Sequence, residues 1–207
     1  MLKKSGTDLD LVEVNRRKKF VNRRLGELRR LKEEALRNGE ILRLDVDLAS
    51  EVGVPAWSPI LIVVPPSITE NWRREFETWG HFAVSVYESG PGREEALESV
   101  RFGRSEVLIC TKSCFQQEFV SEALCEINWK LVIVDEFHNF KNEKGKISKN
   151  LRALKAAQNC LVVGLTGTLM QNDLKELWNL VDLAEEHFLG TYDCFKAEYE
   201  EPIKQSL

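Results

Sequence analysis

Val132-Ile133-Val134-Asp135-Glu136-Phe137-His138 is the stretch that decides the fold. A β-branched run that stops abruptly in acidic and imidazole groups is how a strand buried in a parallel sheet reads, with its reactive residues at the carboxyl end. About thirty residues on, Gly164-Leu165-Thr166-Gly167-Thr168 repeats the pattern, an apolar run ending in two hydroxyls around a glycine. Ligands of open α/β sheets bind at those carboxyl ends. An Asp-Glu pair there has the chemistry that a nucleotide-bound Mg²⁺ and an attacking water require. The aspartate holds the hard cation through its hydration shell, and the glutamate orients or deprotonates the water. Alone, such a pair also caps a following helix or makes surface ion pairs, and Thr166-Gly167-Thr168 also reads as an ordinary βα turn with Thr168 near a helix start. In the functional reading, Gly167 lets the backbone approach other groups closely. Both motifs together at parallel strand ends point to an NTPase-type core.

Outward from these motifs, strands and helices alternate. Strands are expected over residues 60–64, 82–87, 106–111, 129–134 and 160–165. Helices are expected over 67–80, 93–102, 113–125, 147–157 and 174–183, with a Lys-rich loop over 139–146. Ser67 or Thr69 is suited to cap the first helix, and Glu70 to support its first turn. Trp72, Phe76 and Trp79 fall on one face of that helix and read as core rather than as base-stacking residues. Alternation of this kind implies βαβ crossovers, hence a doubly wound, mostly parallel α/β sheet covered on both faces.

The 207 residues favour one domain with a substantial core, and 43% hydrophobic with 30% charged residues is ordinary for a globular chain. The net charge of -4 gives no bulk reason to expect nucleic-acid binding. Charge is uneven, however: residues 16–37 hold ten Lys or Arg against three Glu. Phe20, Leu25, Leu28, Leu31 and Ala35 recur there near helical spacing, so the segment reads as a basic amphipathic helix ending at Asn38-Gly39. It reads as a solvated surface helix or a segment produced by an altered gene model, with an electrostatic DNA contact as the functional alternative. Residues 1–57 thus form a divergent N-terminal segment, and 58–207 the regular α/β unit. No apolar run is long enough for a membrane span, and the N-terminus lacks a signal-peptide core. Cys110, Cys114, Cys125, Cys160 and Cys194 form no C-x-x-C pair and read as reduced, mostly buried thiols of an intracellular protein.

Asp135-Glu136-Phe137-His138 resembles the DExH motif of superfamily 2 helicases. The stretch Gly164-Leu165-Thr166-Gly167-Thr168-Leu169-Met170-Gln171-Asn172 resembles the third motif of their Snf2 branch. Pro59-Ile60-Leu61-Ile62-Val63-Val64-Pro65-Pro66-Ser67 with Asn71-Trp72, Glu75-Phe76 and Trp79 resembles motif Ia, and Val107-Leu108-Ile109-Cys110-Thr111-Lys112 the strand of motif Ib. The resemblance covers about residues 59–207 and is nearest in flavour to DNA-repair members, the excision-repair cross-complementing 6-like group. It implies the first RecA-like lobe of an ATP- and Mg²⁺-dependent translocase on double-stranded DNA, nuclear, with chromatin or repair proteins as partners. By resemblance, Asp135 serves Mg²⁺, Glu136 activates water, and His138 with Thr166, Gly167, Thr168, Gln171 and Asn172 couples nucleotide state to DNA grip. Ser67, Asn71, Thr111 and Lys112 fall where motifs Ia and Ib meet one DNA strand, through phosphate contacts that need no base reading.

Two parts of the family pattern are missing from this sequence. The glycine-rich loop ending in Gly-Lys-Thr or Gly-Lys-Ser should precede Pro59, and no such loop occurs; Lys3-Lys4-Ser5-Gly6-Thr7 has the residue types in the wrong order. The second lobe, which supplies arginine fingers in the family, is expected to be missing as well. Phe137 stands where alanine is usual and Leu169 where proline is usual. Phe137 is expected to add bulk behind the acidic pair. The expectation is therefore a partial lobe without ATP hydrolysis of its own, or a non-catalytic DNA- or protein-binding module derived from one.

Overall fold

A computed structural model describes residues 59–206 apart from 81, 159 and 169–172, and before them only Lys19, Arg30 and Arg37, each helical and exposed. The basic helix expected over residues 16–37 otherwise lies outside the described residues, as do Gln171 and Asn172.

Five strands carry the architecture: β1 (Ile60–Val64), β2 (Val84–Tyr87), β3 (Val107–Thr111), β4 (Leu131–Asp135) and β5 (Leu161–Leu165). They pair in the order β2-β3-β1-β4-β5, every pair parallel. Five helices make the crossovers: α1 (Thr69–Trp79), α2 (Arg93–Arg101), α3 (Lys112–Phe115), α4 (Glu118–Cys125) and α5 (Lys146–Ala157). After β5 come α6 (Leu174–Ala184), α7 (Tyr192–Phe195), a π-helical turn (Lys196–Glu200) and α8 (Glu201–Ser206). The C-terminal elements beyond α6 carry no apolar period long enough to be read beforehand.

The two sheet faces are unequally covered. Leu61, Val63, Leu108, Cys110, Val132, Val134 and Val162 point to one side and join the residues of α2, α5 and α6 in the main core. Trp129 is sealed there, its indole N–H donating to the Leu124 carbonyl at 2.8 Å. Ile62, Val64, Val107 and Ile109 point to the other side, under Trp72 and Phe76 of α1. That smaller face ends before β5: Leu161, Val163 and Leu165 are 60, 38 and 40% exposed. The expected sheet covered on both faces therefore holds for β1 and β3, whereas β5 is a half-covered edge strand among the described residues.

Local chemistry explains the departures from expectation. Neither Ser67 nor Thr69 caps α1. The chain enters through a 3₁₀ turn at Pro66–Ile68, closed by a backbone bond from Ile68 N–H to the Pro65 carbonyl at 3.2 Å. The Thr69 hydroxyl donates back to the Pro66 carbonyl at 3.1 Å. Trp79, expected in the core, lies at the end of α1 and is 58% exposed, with its indole N–H on Glu75 at 2.6 Å. The single helix expected over 113–125 is broken at Gln117, which is extended. At that break Asn150 of α5 donates to the Phe115 carbonyl at 2.7 Å, replacing the helical partner that carbonyl would otherwise need. Part of the loop expected over 139–146 is instead a 3₁₀ turn, Phe137–Phe140. All five cysteines are free; Cys110, Cys114 and Cys160 are buried, Cys125 is half-buried and Cys194 is exposed. Burial pushes the Cys110 thiol well above its ordinary value.

Candidate functional site

Parallel pairing puts every strand's carboxyl end on one edge of the sheet. Val64 lies beside Thr111, and Asp135 beside Leu165, so the edge reads β3–β1–β4–β5 from the Lys112 turn to the Thr166 turn. The acidic pair and the hydroxyl-glycine-hydroxyl turn emerge from adjacent strands, β4 and β5.

Contacts between side chains join the two motifs. His138 Nδ1 lies 3.2 Å from Thr166 Oγ1 and 3.2 Å from Glu136 Oε2. The Thr166 hydroxyl donates to the Thr168 carbonyl at 3.2 Å and accepts from Thr168 N–H at 3.1 Å. His138 thus bridges the end of β4 to the turn after β5. Glu136 adopts a left-handed conformation, φ 52°, which few non-glycine residues take. Asn139 holds it by donating to the Glu136 carbonyl at 2.9 Å. This turn directs Glu136 toward His138, with the glutamate side chain 46% exposed.

Asp135 has one donor on each carboxylate oxygen. Oδ1 accepts the Glu136 backbone N–H at 2.8 Å, and Oδ2 accepts the Trp72 indole N–H at 2.8 Å. Each oxygen keeps a further lone pair. No group of three or more His, Cys, Asp or Glu side chains is gathered as a metal cage among the described residues. A single half-buried carboxylate with lone pairs to spare fits a cation that retains most of its water, as Mg²⁺ does. A triphosphate does not fit equally well, because no Gly-Lys-Thr or Gly-Lys-Ser loop is present to cradle it.

Phe137 packs against β5. Its ring is buried, 5.6 Å from that of Phe140, and lies directly over Gly164. A Cβ at 164 would sit 2.2 Å from the Phe137 ring. The added bulk expected from Phe137 is taken up by the missing side chain on β5. Gly167, by contrast, has nothing within 4 Å of where a Cβ would stand.

On the other half of the edge, Ser67 follows β1 and Asn71 lies in the first turn of α1; both are exposed. Lys112 is half-buried after β3, and burial lowers its ammonium pKa. Thr111 is 3% exposed, and its hydroxyl accepts Cys114 N–H at 3.4 Å as the cap of α3, so it is engaged within the fold. Behind the site, α6 is tied to the loop after His138: Lys141 pairs with Glu176 at 3.0 Å, and Asn179 donates to the Lys141 carbonyl at 3.2 Å. Trp72, which motif spacing alone assigns to packing, and the Lys141–Asn179 tie are the site features that sequence reasoning missed; long-range hydrogen bonds leave no periodicity.

Comparison with known proteins agrees with this geometry. The family model of the SNF2-related domain matches residues 3–206. Switch 2 of Arabidopsis thaliana is 40% identical over 147 residues, 70% of this chain and 16% of its own length. DNA excision repair protein ERCC-6-like 2 of Mus musculus is 35% identical over 145 residues, 70% of this chain and 9% of its own length. The chain thus spans a small part of the curated relatives it matches. The Sulfolobus solfataricus SWI2/SNF2 ATPase core, solved in complex with dsDNA, superposes with a TM-score of 0.58 at 25% identity, covering 76% of this chain and 31% of that one. The all-parallel sheet, the DExH edge and the matched residues make this chain a member of the Snf2 family, with the RecA-like fold of its ATPase core.

Proposed function

We propose that residues 58–207 are part of the first ATPase lobe of a Snf2-type translocase or chromatin remodeller linked to DNA repair, and that the chain alone does not hydrolyse ATP. The observation that carries the reading is the His138–Thr166 contact across adjacent strand ends, with Asp135 and Glu136 beside it. Mg²⁺, when bound, supplies charge neutralisation for the β- and γ-phosphates. Asp135 would hold that cation through water. Glu136, half-exposed and in contact with the His138 ring, would orient a water or take its proton. The His138 ring would transmit a change at Glu136 to the Thr166-Gly167-Thr168 turn, and Gln171 and Asn172 would share the coupling role by resemblance to the family's third motif. Exposed Ser67 and Asn71 and half-buried Lys112 would contact one strand's phosphates, without base readout. The dsDNA complex of the archaeal ATPase core and the repair name of the murine relative support duplex DNA, repair partners and a nuclear location.

The missing phosphate loop supports inactivity: without its amides and lysine, little holds the triphosphate. The test is ATP turnover by the 207-residue chain with and without duplex DNA, alongside nucleotide binding in Mg²⁺. No DNA-stimulated turnover is expected, and turnover that Asp135→Asn abolishes would refute inactivity. The second reading, a non-catalytic DNA- or protein-binding module, draws on the same missing loop. It predicts DNA binding that is indifferent to nucleotide and to Asp135→Asn.

A further inference from the structure

We infer that Trp72 is the positioning residue of the Asp135 carboxylate, holding one oxygen so that the remaining lone pairs face a hydrated divalent cation. The inference rests on the reading of Asp135 as the Mg²⁺ residue and names the group that serves it. The two residues are 63 positions apart, yet the Trp72 indole N–H donates to Asp135 Oδ2 at 2.8 Å. Oδ1 is already held by the adjacent Glu136 N–H at 2.8 Å. A carboxylate gripped at one oxygen only can still swing its other oxygen about the side-chain torsion. Gripped at both, it has one orientation, and its free lone pairs have one direction.

The tryptophan is itself fixed. It lies in the second turn of α1, half-buried, among Ile62, Val64, Phe76 and Ile133 on the smaller sheet face. Its ring centroid lies 6.3 Å from that of Phe76. The fold therefore sets the indole by packing, and the indole sets the carboxylate. Partners of this kind, one shell beyond the metal, hold a ligand's geometry without touching the cation. An indole N–H is suited to the task because it is a donor only, so it cannot compete for the cation or turn into an acceptor. The hydrogen bond is also charge-assisted, which makes it stronger than one between neutral groups.

The test has a cation-free arm and a cation arm, both on the 207-residue chain. In ¹H–¹⁵N spectra without divalent cations, Asp135→Asn moves the Trp72 indole signal and leaves those of Trp79, Trp129 and Trp178 in place. A Trp72 signal that stays fixed overturns the inference, whatever the cation does. In the second arm Mn²⁺ is titrated. It broadens the Trp72 indole ahead of those of Trp79, Trp129 and Trp178, and Asp135→Asn removes that broadening. Trp72→Phe weakens Mn²⁺ binding about tenfold, the low end for loss of a supporting hydrogen bond. Trp79→Phe, which removes an indole from the exposed end of the same helix without touching Asp135 or the packing of Trp72, leaves Mn²⁺ affinity unchanged. An equal loss in Trp79→Phe, or wild-type affinity in Trp72→Phe, overturns the positioning role while Asp135 keeps its own. Absence of any Asp135-dependent broadening at millimolar Mn²⁺ overturns the reading of Asp135 as the cation residue, and this inference falls with it.

Discussion

Gly164 and Phe137 act as one packing unit, and their dependence on each other can be measured. A Cβ at 164 meets the Phe137 ring at 2.2 Å, and the ring is buried in the main core between β5 and Phe140. It has no open direction in which to retreat. Gly164→Ala is therefore expected to cost about 1–3 kcal/mol in denaturant unfolding, the usual range for overpacking. Phe137→Ala alone leaves a cavity and is expected to cost about 3–5 kcal/mol. In the double variant the new methyl enters the space the ring vacated, so its cost should fall below the sum of the two single costs. Additive costs would mean that the two side chains do not share that space. The sequence announced Phe137 as bulk near the acidic pair, but only the strand register shows where the bulk goes. Asp135, Glu136 and Thr166 were legible because each ends an apolar run. The role of Trp72 was not, since its only visible signal was a helical spacing it shares with ordinary core residues.

At the scale of elements, strand existence and order of appearance were legible, whereas coverage of the sheet was not. An apolar run reads the same whether one or both faces are covered, so β5 was expected to be buried throughout. Its alternation of buried and exposed positions gives a direct check. Val162 is 8% exposed and Leu161 60%, so Val162→Ala is expected to cost about 2 kcal/mol in unfolding free energy. Leu161→Ala is expected to stay within about 0.5 kcal/mol of the wild type. Equal costs would mean that the outer face of β5 is covered in solution. The C-terminal elements make a second case, governed by pH. Lys204 and Tyr192 hold the Glu200 carboxylate below its ordinary value of 4.5. The tyrosine hydroxyl donates to Glu200 at 2.9 Å, and burial together with that bond pushes its own pKa up to about 12. A lowered carboxylate pKa contributes stability above 4.5 that is lost as pH falls through the folded-state value. A raised phenol pKa contributes stability below 10 that is lost as pH climbs towards about 12. The segment is expected to loosen at both extremes before the sheet does. The Trp178 ring packs 5.5 Å from Tyr192, and its fluorescence is the measurement. In Glu200→Gln the acid-side change should disappear. Its persistence would assign the acid response to other carboxylates.

For the molecule as a whole, the question is how a chain of net charge -4 would grip DNA. No bulk field draws it to a polyanion, so contact depends on where cations and hydrogen-bond donors meet the working edge. The topology places Ser67, Asn71 and Lys112 at the β3–β1 half of that edge and the acidic pair at the β4 position. DNA lying along the first half avoids the carboxylates, and DNA crossing both halves is repelled by them. Lys112 is the cation of this group, and its lowered pKa shows that burial already disfavours its charge. A phosphate brought to it would favour that charge and release counterions from the duplex. Binding of the 207-residue chain to duplex DNA is therefore expected to be weak, indifferent to base sequence and steeply salt-dependent. Lys112→Ala should lower the slope of log affinity against log salt by about 0.9, the value of one phosphate contact. Ser67→Ala and Asn71→Ala should weaken binding at every salt concentration while leaving that slope unchanged, because they donate hydrogen bonds without charge. Fluorescence anisotropy across a salt series reads both effects. An unchanged slope in Lys112→Ala would move the DNA path off the β3–β1 half of the edge and leave the basic residues 16–37 as its electrostatic anchor.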